Sequence, residues 1–230
     1  MQRQSRRERG DSSSRIVRLV APVREHVVDI IRQQILSGDR APGERLVERE
    51  LTEEFDISRN TLREAYRQLE AEGFIVLTPH KGPIVYRLSA AEAKAIYELR
   101  EAIECFAVQL FAERASDEQV EELAECVAEV SAAHRVGEIT AILSVKDRFY
   151  ETLYAGSGNP LLRQHINLLQ ARLVRLRAAS LSTPGRLENS AAEIERVMDK
   201  IAHRDANAAR DLWRVHIGNA AAAALTQFES

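Results

Sequence analysis

The chain has 230 residues, 45% hydrophobic and 29% charged, with a net charge of −3 at pH 7. This is the composition of a soluble globular protein with room for one large or two small cores, and no run approaches the eighteen or so apolar residues of a membrane span. Cys105 and Cys126 lie alone, with no CxxC partner, which argues against thiol chemistry and fits a reduced, cytoplasmic compartment.

The charge is unevenly placed. Residues 1–88 carry 16 Lys and Arg against 14 Asp and Glu, and residues 89–230 carry 16 against 21. The N-terminus, MQRQSRRERGDSSSR, has charge but no apolar segment, so it does not read as a secretory signal. Residues 1–20 read as a basic, disordered arm, a solvated tail that can also touch phosphates.

Val23, Val27, Ile30, Ile31 and Ile35 repeat at helical spacing and stop at S-G-D, before the turn signal A-P-G-E. Val47, Leu51 and Phe55 mark a second, short helix, separated by Asp56 to Ser58 from a third that Ser58 can cap. In that third helix, Ser58 to Gly73, Leu62, Ala65, Tyr66 and Leu69 share one face. Asn60, Arg63, Glu64 and Arg67 share the other, with Arg59 at the flank. Taken alone, that polar face could be a solvated one whose arginines pair with Glu64, Glu70 and Glu72. Two β-type runs follow, F-I-V-L-T and I-V-Y-R-L, joined by P-H-K-G as a hairpin.

From Ser89 onward the pattern is helical. S-A-A-E and S-D-E-Q are capping boxes, and stripes run through Ile96, Leu99, Ile103, Phe106 and Leu110, then through Val120, Leu123, Val127 and Val130. Further helices are expected over about 138–155, 160–181, 188–203 and 206 to the end. The fold class is therefore mainly α, with a winged helix-turn-helix at 21–88 and an antiparallel six-helix bundle at 89–230. In a winged helix-turn-helix the helix after the turn enters the DNA major groove. Arg can pair there with guanine and Asn with adenine, while Thr can bond a base or touch a thymine methyl.

The run E-R-E-L-T-E-E-F-D-I-S-R-N-T-L-R-E-A-Y-R-Q-L-E-A-E-G-F-I resembles the N-terminal signature of the GntR family of bacterial transcriptional regulators. I-Y-E-L-R-E-A-I-E and D-R-F-Y-E-T-L-Y-A-G-S-G-N-P resemble the FCD ligand-binding domain of its FadR subfamily. The resemblance spans about residues 21–228. It implies DNA contacts from Arg49, Ser58, Arg59, Asn60, Thr61 and Arg63, with His80, Lys81 and Gly82 in the wing and Arg45 meeting phosphate. Asp56 departs from the glycine usual in the turn, but Asp tolerates the left-handed conformation.

Many FCD domains hold a metal with one Asp and three His. The corresponding positions here are Lys146, Tyr150, Ile194 and His216, and one neutral His beside an ammonium does not hold a divalent ion. Neither a metal nor another cofactor is expected. Lys146 lies on the stripe of Ile142, Phe149 and Leu153, so it should face inward, where an ammonium needs a carboxylate, a ligand or a route to solvent. Arg100 matches an arginine that the family often keeps in its ligand cavity, and His165 and Arg172 sit among leucines seven residues apart. Inward cations in an apolar bundle suggest a cavity for an organic anion, lined by Arg100, Lys146, Tyr150, His165, Arg172, Ile194 and His216. Glu104 or Asp147 could instead satisfy the cations internally, and His216 could be a hydrogen-bonded core histidine.

No phosphate-binding Gly loop, GxSxG or His cluster supports an enzyme. The expectation is a cytoplasmic, homodimeric regulator, a repressor, that binds an inverted-repeat DNA operator and answers to a small organic acid or acyl effector. The rivals are an architectural DNA-binding protein with a purely structural bundle, and a metal-dependent sensor of the same family.

Overall fold

A computed structural model describes the backbone of residues 11–79, 81–167 and 169–228, with side chains at these positions except 11–22, 170 and 171. The chain divides into two units, one ending at Arg87 and the other beginning at Leu88.

The first unit runs α1 (Asp11–Ser37), α2 (Glu48–Glu54), α3 (Arg59–Ala71), β1 (Ile75–Thr78) and β2 (Gly82–Val85). Val27, Ile31 and Ile35 recur at four-residue spacing and are buried on the face of α1 that meets α3. The facing Leu62, Ala65 and Leu69 are fully buried, each leucine contributing about 1.5–3 kcal/mol of apolar transfer. α1 begins at Asp11, so residues 11–20, assigned to the arm on sequence grounds, are helical. Ile16, Leu19 and Val20 extend the apolar spacing upstream of Val23, which accounts for the longer helix. Residues 1–10 of the arm lie outside the described residues.

The turn between α2 and α3 closes with Asp56 in the left-handed region, φ 49°. Ile57 N–H then donates to Thr52 O at 3.2 Å. β1 and β2 pair antiparallel from Ile75 opposite Val85 to Thr78 opposite Gly82. Gly82, at φ 77°, supplies the positive φ that the hairpin turn requires. The segment before α2 joins the sheet, with Leu46 N–H donating to Pro83 O at 2.9 Å and Arg45 bridging to Ile84.

The second unit is helical among the described residues: α4 (Ala90–Arg114), α5 (Asp117–Val136), α6 (Ile139–Gly156), α7 (Pro160–Asn167), α8 (Gln170–Leu181), α9 (Arg186–Ala202) and α10 (Ala206–Leu225). Ser89 caps α4 and Ser116 closes a capping box on α5. The one helix expected over 160–181 is two, because Leu169, at φ −107° and ψ 2°, leaves helical geometry. α10 lies against α4, α8 and α9, while α5 lies against α6 and α9. Trp213, Phe111, Leu123 and Leu153 fill the centre. α6 approaches α4 so closely that a Cβ at Gly156 would overlap the Phe111 ring.

Candidate functional site

The third helix puts its polar residues where the sequence places them. Leu62, Ala65, Tyr66 and Leu69 are buried, and Arg59, Asn60, Arg63 and Arg67 are exposed. Ser58 caps the helix: its Oγ accepts from Thr61 N at 3.1 Å and lies 2.8 Å from Thr61 Oγ1. Arg63 pairs with Glu48 at 3.3 Å, and Arg67 with Glu64 at 3.0 Å. Glu70 and Glu72 turn away from that face. Glu70 accepts from Leu77 N in the hairpin, and Glu72 holds Arg32 of α1 at 2.8 Å. The first turn of α3 thus keeps Arg59 and Asn60 without side-chain hydrogen bonds among the described residues. Arg45, Arg49 and Lys81 are also exposed, Gly82 is half-buried, and His80 lies outside the described residues. Solvated donors beside a helix N-terminus form a surface suited to a polyanion.

The second constellation lies inside the helical unit. Arg100 on α4 donates from Nε to Glu104 Oε1 at 2.7 Å and from Nη2 to Tyr150 Oη at 2.8 Å. Trp213 Nε1 donates to the other oxygen of Glu104 at 3.1 Å. Arg177 on α8 stands over the Tyr150 ring, 3.8 Å from its centroid, with Nη2 3.6 Å from Glu104 Oε1. A separate network joins α9 to α10. Arg186 makes a bidentate pair with Glu193 at 3.0 and 2.7 Å, and His216 Nδ1 and Asn219 Nδ2 complete the carboxylate at 2.6 and 2.7 Å. With Nδ1–H committed to Glu193, the Arg186 nitrogen 3.5 Å from it is a neighbour and not a donor. Between the networks, Lys146 on α6 is 4% exposed and donates to Ser190 Oγ at 3.3 Å.

These contacts set the proton affinities. Burial pushes the Glu104 carboxyl up, but Arg100 and Arg177 outweigh it and hold the group below the usual range. Burial likewise works against Glu193, and the bonds from His216, Arg186 and Asn219 bring it to about 2. His216 is lowered to about 4, first by burial and then by Lys146 and Arg100, so it is neutral at pH 7. Lys146 is brought down to about 7, first by burial and then by Arg177, Arg100 and Arg186.

Of the expected pocket residues, Arg100, Lys146, Tyr150 and His216 are buried in these networks, and Ile194 is buried one turn beyond Ser190. His165 is exposed on α7, its Nδ1 2.8 Å from Leu161 O, and Arg172 pairs with Glu92 at 3.2 Å. Both therefore lie outside the buried networks. The break at Leu169 separates the two residues onto different helices and undoes the seven-residue spacing that aligned them. Asp147 is exposed, which removes it as a buried partner for Lys146.

Reasoning from the sequence missed Arg177, Arg186 and Glu193. A signal for each was present. Arg177 continues the stripe of Leu173 and Ser180, and Arg186, Ser190, Glu193, Val197 and Ile201 form one buried face of α9. At the four positions aligned with the family metal site, Lys146 donates to Ser190, Tyr150 accepts from Arg100, Ile194 offers no donor atom, and His216 Nδ1 is held by Glu193. No group of three or more His, Cys, Asp or Glu suited to a metal occurs among the described residues.

Residues 23–85 match the bacterial regulatory proteins of the gntR family, and residues 95–219 match the FCD domain. An uncharacterized HTH-type transcriptional regulator of Bacillus subtilis, YdhC, is 27% identical over 82% of this chain and 85% of its own. The HTH-type transcriptional repressor RspR of Escherichia coli is 27% identical over 85% of this chain and 86% of its own. The solved structure of Escherichia coli McbR/YncC shares the fold, with a TM-score of 0.73 at 21% identity over 90% of this chain and 99% of that one. With its N-terminal unit matching the GntR helix-turn-helix and more than half of its length matching FCD, the chain belongs to the GntR family of bacterial transcriptional regulators and carries an FCD effector domain.

Proposed function

We propose that this regulator is a cytoplasmic homodimeric repressor, that it reads an inverted-repeat operator, and that an organic anion bound within its helical domain sets its affinity for DNA. One short helix reads few base pairs, so paired copies of α3 on adjacent half-sites give the needed specificity. Arg59, Asn60, Thr61 and Arg63 read base edges, with Ser58 holding the first turn. Arg45, Arg49 and the wing residues His80, Lys81 and Gly82 meet the backbone. Repression is the role of the RspR relative and is carried over from it.

The effector reading rests on one observation. Four buried cations, Arg100, Lys146, Arg177 and Arg186, stand against two buried carboxylates, Glu104 and Glu193. A structural core would fill such positions more cheaply with apolar side chains, because a buried unpaired charge costs several kcal/mol. Binding by Lys146 and Arg100, with Tyr150, Ile194 and His216 around them, puts the ligand at the positions that the resemblance aligns with a family metal site. The ligand has to favour one of two arrangements of the DNA-binding domains to act as a switch.

The Arg100–Glu104 and Arg186–Glu193 pairs favour a second reading, a purely structural bundle. The test is a thermal-shift panel of small carboxylic acids at constant ionic strength, followed by fluorescence anisotropy on operator DNA. A sensor gains stability with the acid that also changes DNA affinity. A bundle that no acid stabilises returns the protein to the structural reading.

A further inference from the structure

We infer that the effector carries two negative charges on separate groups, one engaged by Lys146 and the other by Arg177, so that its class is a dicarboxylate or a comparable two-centre dianion. This rests on the organic-anion reading above, keeps Lys146, takes Arg177 in place of Arg100 as the second anchor, and adds the ligand's charge.

The assignment follows from how completely each cation is already used. Both oxygens of the Glu193 carboxylate are filled, although Arg186 Nε has no hydrogen-bond partner among the described residues. Oε1 accepts from Arg186 and Asn219, Oε2 accepts from Arg186 and His216, and the pair is neutral. Glu104 is also spoken for, with Arg100 and Trp213 donating to its two oxygens. Arg100 spends Nη2 on Tyr150. These two networks account for both carboxylates and for two of the four cations.

Arg177 and Lys146 remain. Arg177 is 4% exposed, its approach to Glu104 is a long 3.6 Å onto an oxygen that Arg100 already occupies, and its Nε has no hydrogen-bond partner among the described residues. Lys146 has three donors and one long bond, to the neutral Ser190, and no carboxylate lies within ion-pair distance among the described residues. Tyr154 adds a buried hydroxyl without a partner among the described residues, and its ring stacks on the Tyr150 ring over which Arg177 stands. A buried donor set of this kind carries a large desolvation cost until an acceptor arrives.

The two spare cations stand on different helices, Lys146 on α6 and Arg177 on α8. Tyr150, over whose ring Arg177 stands, lies one turn after Lys146 on α6, and Arg177 is among the charges that lower the proton affinity of Lys146. One negative charge would relieve one of them and leave the other buried beside a neutralised neighbour. Two negative centres relieve both, and Tyr154 can donate to either. Arg100, the partner that sequence resemblance singles out, then becomes a support that holds Tyr150 and Glu104 in place.

The test is calorimetric titration of the full chain at pH 7 and fixed ionic strength with matched pairs of acids. The pairs are succinate against butyrate, glutarate against valerate and phthalate against benzoate, with inorganic phosphate as a single-centre anion whose charge at pH 7 lies between one and two. The inference expects at least one dicarboxylate to bind thirty-fold or more tightly than its monoanion partner and than phosphate. Lys146→Met and Arg177→Gln should each reduce that preference to less than about three-fold, with circular dichroism showing that each variant is folded. If a monoanion matches its dicarboxylate, the dianion inference fails while the organic-anion reading stands. If phosphate binds as tightly as the best dicarboxylate, the two-centre assignment fails. If no organic anion of either charge binds, both readings fail together. A preference unchanged in both variants would overturn the anchors.

Discussion

Replacing Lys146 by Met should stabilise the helical domain, by an amount that falls as the pH rises. Lys146 is buried, its bond to Ser190 is long at 3.3 Å, and burial with three neighbouring arginines lowers its pKa to about 7 from 10.5. Between those two values the unfolded chain holds a proton that the folded chain has shed, so the stability of the parent rises with pH across that window. At or below pH 7 the ammonium costs roughly 4–5 kcal/mol, and at pH 9 about 2 kcal/mol remains. Met fills similar volume without the charge and loses one neutral hydrogen bond, worth about 1 kcal/mol. The variant should therefore gain about 2–4 kcal/mol at pH 7, and its lead should shrink by about 2 kcal/mol by pH 9. Urea denaturation followed by tryptophan fluorescence reports on this region alone, because Trp213 is the single tryptophan of the chain and donates to Glu104 inside the site. A lead that stays constant from pH 7 to pH 9 would show that Lys146 keeps an ordinary pKa in the folded protein. Its charge would then be compensated internally, and the surplus of buried cations would not exist.

Gly156→Ala should cost about 1–3 kcal/mol in the same denaturation experiment, because its Cβ would meet the fully buried Phe111 ring. Unchanged stability would mean that the ring has room to move. Asp56→Gly should raise the melting temperature of the DNA-binding unit slightly, by about 0.5 kcal/mol of stability, since glycine adopts the left-handed turn without a Cβ penalty. A loss of stability there would show that the Asp56 side chain contributes more than its backbone strain costs. Elemental analysis of the purified protein should find well under one equivalent of zinc, nickel or manganese, and a chelator should leave the melting temperature unchanged. One tightly held equivalent, lost in His216→Ala, would overturn the reading of Lys146, Tyr150, Ile194 and His216 as a position without metal.

The features legible in the sequence were those encoded over short range. The buried face of α3, its Ser58 cap, the left-handed Asp56 and the hairpin turn at Gly82 each depend on residues within a few positions of one another. The inward position of Lys146 was readable for the same reason, from its stripe on α6. The partners of that side chain were not, because Ser190, Arg177 and Glu104 come from three other helices, and periodicity gives a face without saying what lies opposite. The choice of Arg172 over Arg177 shows the difficulty in one helix. A stretch with arginines at 172, 175 and 177 offers several registers, and the break at Leu169 fixes which one turns inward. The pairing of Arg186 with Glu193 could have been suspected from their seven-residue spacing, but its closure by His216 and Asn219 is a tertiary fact.

In vitro selection of genomic fragments by the purified protein tests most directly whether α3 reads DNA as one half of a symmetric pair. The selected fragments should share an inverted repeat with half-sites about one helical turn apart, centre to centre. On that sequence Arg63→Ala should lose about 1–3 kcal/mol of specific affinity, whereas Arg45→Ala should weaken binding to every sequence and flatten its salt dependence. Enrichment of fragments with no shared repeat, or an Arg63→Ala variant that binds the repeat as tightly as the parent, would contradict the claim.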